Sequence, residues 1–315
     1  MRRSVRTRVH VFGPNGRIRT KTDKVAGEEP LEIRLGDQEF TVMMRTPGMD
    51  TELVLGLLLG EGIIRTASDV VEIDFSTGLD PDGTRNYNVA RVRLSPEVSS
   101  TLADNGGLPA GQERNVYTSS ACGICGTAAL EAVTKVSSYP LPTPEPFFDP
   151  ATVCELPNIM RDQQPLFATT GGIHAAGLFE FGAGSSSTAG AGATSGASSS
   201  AGAGTGTSAT SPSASPTLLT VAEDVGRHNA VDKVLGWAMR EDLLPLSSCV
   251  LQVSSRASFE LVQKAAMAGV PVLSAVSAPS SAAVELGNSL GVTVIGFNRK
   301  GTFNVYSTPE RLLES

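Results

Sequence analysis

The chain has 315 residues, which predicts about two domains and enough length to bury a sizeable core. Its composition is 40% hydrophobic and 18% charged with a formal net charge of −7, which is typical of a globular protein and argues against unspecific nucleic-acid binding. No apolar run approaches the roughly 20 residues that span a bilayer, and no apolar segment follows the basic residues 2–6. We therefore expect a cytoplasmic protein with reduced cysteines.

The first 28 residues form a basic segment, with eight Lys or Arg side chains and one Asp before residue 25. Val9 and Val11 alternate with Arg8 and His10, and a Pro-Asn-Gly turn follows, which predicts a solvated β-hairpin. An arm that binds nucleic acid or another anionic ligand is the alternative.

Residues 29–115 are typical of a small α+β domain. Short alternating stretches predict strands, and a leucine-rich stretch between a cap and two glycines predicts a helix. The predicted elements are strands at 31–34, 40–43 and 87–94, and a helix that Asp50 or Thr51 caps and that ends at Gly60 and Gly62.

Residues 116–315 alternate strands and helices, which is typical of an α/β domain with a largely parallel sheet covered by helices. A stretch with five prolines, 140–150, predicts a surface loop. The predicted helices span 126–136, 230–240, 258–268 and 281–290, and the predicted strands span 218–221, 249–253, 270–276 and 292–297.

A low-complexity tract interrupts this domain. Every residue from 182 to 217 is Gly, Ala, Ser, Thr or Pro, a composition that predicts disorder. The stretches on either side, 179–181 and 218–221, are each typical of a strand. Because a long loop closes at modest entropic cost, we favour a loop insertion at the tip of one hairpin over an interdomain linker.

Cys122 and Cys125 are separated by two residues and directly precede the helix predicted from residue 126. A helix N-terminus lowers a thiol pKa, and the thiolate is the form that accepts sulfur, exchanges disulfides or binds metal. Three hypotheses remain open from the spacing: a persulfide carrier, a thioredoxin-like redox pair and half of a zinc site. Zinc needs further ligands, whereas Cys154 and Cys249 are isolated and the chain has three histidines.

Asp224, Arg227 and His228 lie where a predicted strand meets a predicted helix. Ligands of α/β sheets bind beyond the carboxyl ends of strands, so this join predicts ligand contacts. An internal ion-pair network that holds the loop is the alternative.

Two further segments at the same predicted sheet edge suit anions. Ser255 and Arg256 follow a strand, where free N–H groups, a hydroxyl and a guanidinium can hold phosphate. Residues 298–302 follow the last parallel strand, and Lys300 and Gly301 suit a turn over a phosphate or a base. Together these segments favour a nucleotide-like ligand, with helix capping and an ordinary basic turn as the alternatives.

His174 follows two glycines that permit close backbone approach, and its imidazole can titrate near neutrality. A histidine whose hydrogen bonds are satisfied within a Gly-rich turn is the alternative interpretation.

Taken in order, these motifs resemble one family, the formate dehydrogenase accessory sulfurtransferases FdhD. The resemblance covers residues 29–312 apart from the low-complexity tract. The residues that carry it are Glu29-Pro30-Leu31, Met44-Arg45-Thr46-Pro47-Gly48, Gly60-Glu61-Gly62-Ile63-Ile64, Cys122-Gly123-Ile124-Cys125-Gly126, His174-Ala175-Ala176, Glu223-Asp224-Val225-Gly226-Arg227-His228-Asn229-Ala230-Val231-Asp232-Lys233 and Ser254-Ser255-Arg256-Ala257-Ser258.

The resemblance implies a sulfurtransferase that carries persulfide sulfur on Cys122, assisted by Cys125, from a cysteine desulfurase to the molybdenum cofactor. The cofactor is bis-molybdopterin guanine dinucleotide, and formate dehydrogenase is its acceptor. The implied fold is a cytidine-deaminase-like three-layer α/β fold with a smaller α+β domain. A cytoplasmic homodimer without a permanently bound metal, nucleic acid or membrane is also implied. A non-catalytic chaperone that binds the cofactor for formate dehydrogenase is the alternative function.

The expected cofactor contacts combine this resemblance with the two anion-binding segments. Arg256, Arg299 and Lys300 are expected to hold phosphates, and Asp224 and His228 to shape the site. The full set is Phe297, Asn298, Arg299, Lys300, Gly301, Thr302, Ser255, Arg256, His174, Asp224, Arg227 and His228.

Overall fold

The computed structural model describes residues 2–75, 83, 87–104, 137–181 and 216–313, which hold twelve strands and seven helices. The strands are β1 (Ser4–Gly13), β2 (Gly16–Ala26), β3 (Glu29–Leu35), β4 (Gln38–Arg45), β5 (Val70–Asp74), β6 (Val89–Leu94), β7 (His174–Glu180), β8 (Thr217–Asp224), β9 (Cys249–Val253), β10 (Val272–Ala275), β11 (Thr293–Arg299) and β12 (Thr302–Ser307). The helices are α1 (Asp50–Gly60), α2 (Pro96–Asp104), α3 (Pro150–Asp162), α4 (Pro165–Thr170), α5 (Arg227–Arg240), α6 (Phe259–Met267) and α7 (Ser281–Leu290). The helix expected at 126–136 and the tract from 182 to 215 lie outside the described residues.

The basic N-terminal segment is a β-hairpin, as its alternation predicts. β1 and β2 pair antiparallel, from Ser4 opposite Ala26 to Gly13 opposite Gly16. At the base, the Gly27 amide donates a 2.8 Å hydrogen bond to the Arg3 carbonyl, which attaches the hairpin to the start of β3.

A four-stranded sheet follows, in the order β4-β3-β6-β5. β3 and β4 are antiparallel and joined at Gly36, whose φ of 62° suits the tight turn, so the predicted strand–turn–strand is confirmed. The strand expected at 87–94 is β6, parallel to β3. The sequence does not predict β5 or α2, because both are short and neither has a fully buried residue.

The N-cap of helix α1 lies one residue before Asp50, the first of the two predicted caps. Met49, with a φ of 57°, occupies the N-cap position, and Asp50 is the first helical residue. The Asp50 carboxylate pairs with the Arg45 guanidinium at 3.0 Å instead of capping the helix.

The six-stranded sheet has the order β12-β11-β10-β9-β7-β8. Only β9, β10 and β11 are hydrogen-bonded in parallel; the other three pairings are antiparallel. The prediction of a largely parallel sheet is therefore wrong. β7 and β12 run opposite to the other four strands, and β12 must be antiparallel to β11 because a tight turn joins them, whereas parallel neighbours require a longer crossover.

Helices cover both faces of this sheet. Leu251 of β9 packs in one core with Val234 of α5, and Val250, one residue earlier, faces Leu156 of α3 on the other side. The first core also contains Leu31 of β3, so apolar packing is continuous between the two predicted domains. None of the described helices is long and apolar enough to cross a bilayer.

α1 and α5 cross with their backbones in contact. A Cβ on Gly56 of α1 would overlap the carbonyl oxygen of Asp232, and a Cβ on Gly236 of α5 would overlap that of Glu52. Glycine at both positions therefore allows α1, which packs against the four-stranded sheet, to approach α5 closely.

We expect Gly56→Ala to lower the free energy of unfolding by about 1–3 kcal/mol, because the added methyl must separate the two helices. Denaturant unfolding measures this loss. Gly172→Ala is the matched control, since the nearest atom to its added Cβ is the Thr170 oxygen at 3.9 Å. Equal destabilisation of the two variants would contradict the close crossing.

The low-complexity tract joins two paired strands. β7 and β8 are antiparallel from His174 opposite Asp224 to Glu180 opposite Thr217. The residues that flank the tract are therefore neighbours, and the hairpin prediction is confirmed over the interdomain linker.

Replacing residues 183–215 with a four-residue Gly-Asn turn should not destabilise the protein. The shorter loop closes at a lower entropic cost, by at most about 2 kcal/mol, so the melting temperature should stay unchanged or rise. Calorimetry measures it, and a deletion that also removes the buried Phe181 is the destabilised control. A large drop with the shorter deletion would show that the tract contributes to folding.

Candidate functional site

Four strands of the six-stranded sheet end at one edge. β9, β10 and β11 are parallel, and β8 runs the same way because β7 is antiparallel to both β8 and β9. Asp224, Ser254 and Arg299 therefore lie along this carboxyl edge, with His174 opposite Asp224. The prediction that the candidate segments share one edge is confirmed.

The two ends of this edge are well separated. β8 and β11 are four strand positions apart, about 19 Å at the usual strand spacing. His174, Arg227 and His228 belong to the β7–β8 end, residues 297–302 to the β11 end, and Ser255 follows β9 between them. A ligand that contacts both ends must be extended.

A cavity of about 370 Å³ lies at the β7–β8 end. The Arg161 guanidinium lies over the Phe167 ring, 3.9 Å from the centroid, which holds one cation at the wall. The cavity is lined by Arg161, Gln164, Phe167, Gly171, Gly172, Ile173, His174, Val225 and Ser254.

Sequence reasoning missed Arg161 and Phe167, because α3 and α4 follow a proline-rich stretch and were not predicted. The available signal was the position of the prolines. Pro150 and Pro165 each begin a helix, where a missing N–H costs nothing.

Arg227 and His174 add charge and a titratable ring beside this cavity. The Arg227 Nε is buried and has no hydrogen-bond partner among the described residues. Burial lowers the pKa of His174, and the Arg227 charge and then His228 lower it further against the opposing charge of Asp224, which favours the neutral imidazole. A guanidinium with a free buried N–H next to a neutral imidazole suits an anionic ligand.

Glu223, next to the candidate residues, has a structural role. Its carboxylate accepts hydrogen bonds from the amides of Leu166 (3.0 Å) and Phe167 (2.7 Å) at the start of α4. These bonds hold α4, and with it Phe167, against the end of β8.

Asp224 is completely buried, and both of its oxygens are occupied. It accepts from the Lys233 ammonium at 2.6 Å, the Asn229 amide at 2.9 Å, and the backbone amides of Thr46 and Gly226. The expected cofactor contact is therefore corrected to a positioning role, and for Asp224 the internal-network alternative is what the structure shows.

His228 lies at the start of α5, facing α6. Its Nε2 is 3.8 Å from a Glu260 oxygen and 3.5 Å from the Ser258 hydroxyl. The neighbouring His228 ring is the largest cause that lowers the pKa of Glu260 to about 2. His228 is half-buried, so it stays accessible at the sheet edge while Glu260 orients its ring.

The anion-binding segments have different accessibility. Ser255 is buried, and its hydroxyl donates to the Arg256 carbonyl, whereas the Arg256 side chain is exposed. Asn298 is also buried, and its amide donates to the Val153 carbonyl at 2.8 Å and to the Ser274 hydroxyl at 3.0 Å. These bonds replace the direct cofactor contact expected for Asn298.

Residues 299–302 form the exposed tip of the β11–β12 hairpin. Lys300 and Gly301 have φ values of 55° and 75°, the geometry of a type I′ turn, so an ordinary basic turn explains the backbone. The Arg299 guanidinium lies 5.3 Å from the Phe297 ring centroid, and Thr302 is exposed. The tip therefore presents two exposed cations, Arg299 and Lys300, at the β11 end of the edge.

The pKa values of Cys154 and Cys249 limit which thiols of the chain can act as the nucleophile. Burial raises the pKa of Cys249 to about 12 and also raises that of Cys154, so neither favours a thiolate. Of four cysteines in the chain, Cys122 and Cys125 remain as candidates; both lie outside the described residues, so their geometry stays a prediction. Among the described residues no group of three or more His, Cys, Asp or Glu side chains is placed to hold a metal.

Comparison with known proteins identifies the relatives of this chain. The FdhD/NarQ family matches residues 26–189 and 195–313. The chain belongs to the FdhD/NarQ family. It is 44% identical to the sulfur carrier protein FdhD of Nocardia farcinica, over 98% of this chain and 95% of that protein. The protein of the same name from Mycobacterium tuberculosis is 42% identical over 93% of each chain.

A solved structure shares the FdhD/NarQ fold. It is the crystal structure of a protein described as a formate dehydrogenase accessory protein, from Desulfotalea psychrophila. The two structures superimpose with a TM-score of 0.65 at 23% identity, covering 98% of this chain and 99% of the other. At this identity the likeness supports the mixed α/β fold.

We expect Arg227→Gln to raise the pKa of His174, because the variant removes the positive charge that opposes ring protonation. NMR titration of the three histidines measures it, with His174→Gln to assign the signal. Arg256→Gln is the matched control and should leave the titration unchanged. Because the folded pKa of His174 is lowered, its contribution to stability is present above the unfolded pKa and decreases as the pH falls below it. An unchanged His174 pKa in Arg227→Gln would contradict the proximity of the two groups.

Proposed function

We propose that this chain is a sulfur carrier that transfers persulfide sulfur from a cysteine desulfurase to the molybdenum cofactor and is required for formate dehydrogenase activity. The observation that carries the proposal is the cavity at the carboxyl edge, which Arg161 lines, in a chain 42–44% identical to proteins named sulfur carrier protein FdhD. The cavity supplies a place for an anionic ligand, and the family supplies the kind of chemistry.

The sulfur is proposed to travel on Cys122. Its thiolate attacks the terminal sulfur of the persulfide on the desulfurase, which forms an S–S bond on Cys122 and releases the donor cysteine as a thiolate. Cys125 assists loading or release. The raised pKa values of Cys154 and Cys249 support this choice, because a protonated thiol is a poor nucleophile.

Bis-molybdopterin guanine dinucleotide is proposed as the substrate that receives the sulfur. It is long and carries two pyrophosphates, and the carboxyl edge offers cations at both ends. Arg161 and Arg227 would hold anionic groups at the β7–β8 end, and Arg299 and Lys300 at the β11 end, with Arg256 between them. The Nε of Arg227 supports this fit, since it is buried without an acceptor among the described residues and a buried N–H that lacks an acceptor is costly in the absence of a ligand.

We also propose that the six-stranded sheet and its helices form a cytidine-deaminase-like fold. The order β8-β7-β9-β10-β11, with an antiparallel hairpin beside three parallel strands, supports a cytidine-deaminase-like arrangement. We further propose that the protein acts as a homodimer in the cytoplasm, where a reducing environment keeps the carrier thiol free.

Mass spectrometry after incubation with a cysteine desulfurase and cysteine should show one added sulfur atom on Cys122. Cys122→Ala should lose the added mass, and Cys249→Ala, which removes a buried thiol of raised pKa, is the matched control that should retain it. Absence of added sulfur in the wild type would refute the carrier function.

The chaperone alternative gives the opposite result in cells. If a Cys122→Ala, Cys125→Ala double variant restores formate dehydrogenase activity to a deletion strain, the protein acts by binding the cofactor without carrying sulfur. We expect no restoration, because the described cysteines cannot substitute as nucleophiles.

A further inference from the structure

The β1–β2 hairpin lies almost entirely outside the region that the FdhD/NarQ family match covers. The family match begins at residue 26, the last residue of β2, so the hairpin precedes the shared region. The match to the Nocardia farcinica relative covers 98% of this chain and therefore extends into the hairpin. The proposed sulfur transfer does not explain this segment.

The hairpin has the opposite charge to the rest of the chain. Its first 26 residues carry eight Lys or Arg and one Asp, whereas the other residues carry 17 Lys or Arg and 31 Asp or Glu, a formal charge of −14. The single acid, Asp23, is paired with Lys21 at 2.8 Å. An acidic partner is repelled by most of this molecule and attracted to the hairpin, so electrostatic steering selects one docking site.

Two apolar side chains are exposed beside the arginines at the tip of the hairpin. Phe12 is 67% exposed and Ile18 is 68% exposed. Arg17, opposite Phe12, and Arg19 are also exposed. An exposed aromatic ring among arginines is the composition that dominates binding energy at protein interfaces.

The base of the hairpin lies beside the candidate site. β2 packs against α4, and a groove of about 510 Å³ between them is lined by Arg6, Lys24 and Thr169, among others. The same helix contributes Phe167 to the cavity wall. A protein held by the hairpin is therefore brought next to the cavity.

We propose that the β1–β2 hairpin is a docking arm for an acidic surface on the enzyme that receives the cofactor. This inference rests on the proposed function, because it assumes that a ligand leaves the cavity for a protein acceptor. The acceptor must approach the cavity, and the arm is fastened along its border. Since a two-stranded ribbon alone is marginally stable in water, coverage by the partner also stabilises the arm.

The test measures the association rate of the full chain with formate dehydrogenase of the same organism, purified without its cofactor. Arg17→Glu, Arg19→Glu should slow association about tenfold at low ionic strength, and the difference should shrink at high salt. Phe12→Ser should instead raise the dissociation rate. Arg65→Glu, Arg93→Glu is the matched control, since it makes the same charge change at exposed positions outside the hairpin and should change the rate less than twofold.

An unchanged association rate in Arg17→Glu, Arg19→Glu, or an unchanged dissociation rate in Phe12→Ser, would overturn the proposal. Hairpin-dependent binding to phosphatidylglycerol vesicles, single-stranded DNA or the desulfurase, without an effect on formate dehydrogenase, would also overturn it. Sulfur loading of Cys122 is measured in the same variants and should be unchanged. If the wild type binds through the hairpin but Cys122 never carries sulfur, the proposed function fails while the arm stands; if Cys122 loads normally and the hairpin variants bind normally, only the arm fails.

Discussion

The structure depends on the buried ion pair between Asp224 and Lys233. Both side chains are almost fully inaccessible, so each charge needs the other to offset its loss of hydration. Lys233 also donates to the Thr46 carbonyl, and Asn229 donates to the Met44 carbonyl. One polar cluster therefore ties the end of β8, the start of α5 and the loop after β4 together. Removing either charge would leave the other buried and unpaired, at a cost of about 3–5 kcal/mol.

This cluster organises the site without belonging to its surface. Asp224 fixes the turn from which Arg227 and His228 emerge, and neighbouring Glu223 holds α4 against the same strand end. Buried residues that a ligand cannot contact, Asp224 and Glu223, therefore position the residues that it can contact. A second buried pair, Asp232 with Lys264 at 2.6 Å, repeats the arrangement between α5 and α6. Asp232 is also the residue whose carbonyl oxygen faces Gly56 of α1, so this second pair lies beside the close crossing of α1 and α5.

The sheet topology explains why the edge is long and its two ends differ. β9, β10 and β11 are parallel, and β8, on the far side of β7, runs in the same direction. All four strands therefore end at one edge, and four loops begin there. The β11–β12 hairpin adds exposed cations at the far end, and α3 and α4 enclose the near end. An extended anion with separated phosphates suits this distribution of charge better than a compact one. The basic hairpin is a third positive region on an otherwise acidic molecule. It gives a protein partner a docking site distinct from the edge that binds the ligand.

The sequence by itself determined the elements with strong local signals. Alternation and a Pro-Asn-Gly turn defined the β1–β2 hairpin, and helical spacing with glycine or serine ends defined α1 and α7. The tract of small residues between two strand-like stretches was enough to predict the β7–β8 hairpin. Only the tertiary structure decided which polar residues are buried. Asp224 and Arg227 lie three residues apart in one motif, yet Asp224 is enclosed by protein donors whereas the Arg227 Nε has no acceptor within the part of the chain that the structure describes. It also decided that Arg161 and Phe167 join His174, because strand order and helix packing bring together residues that share no sequence pattern.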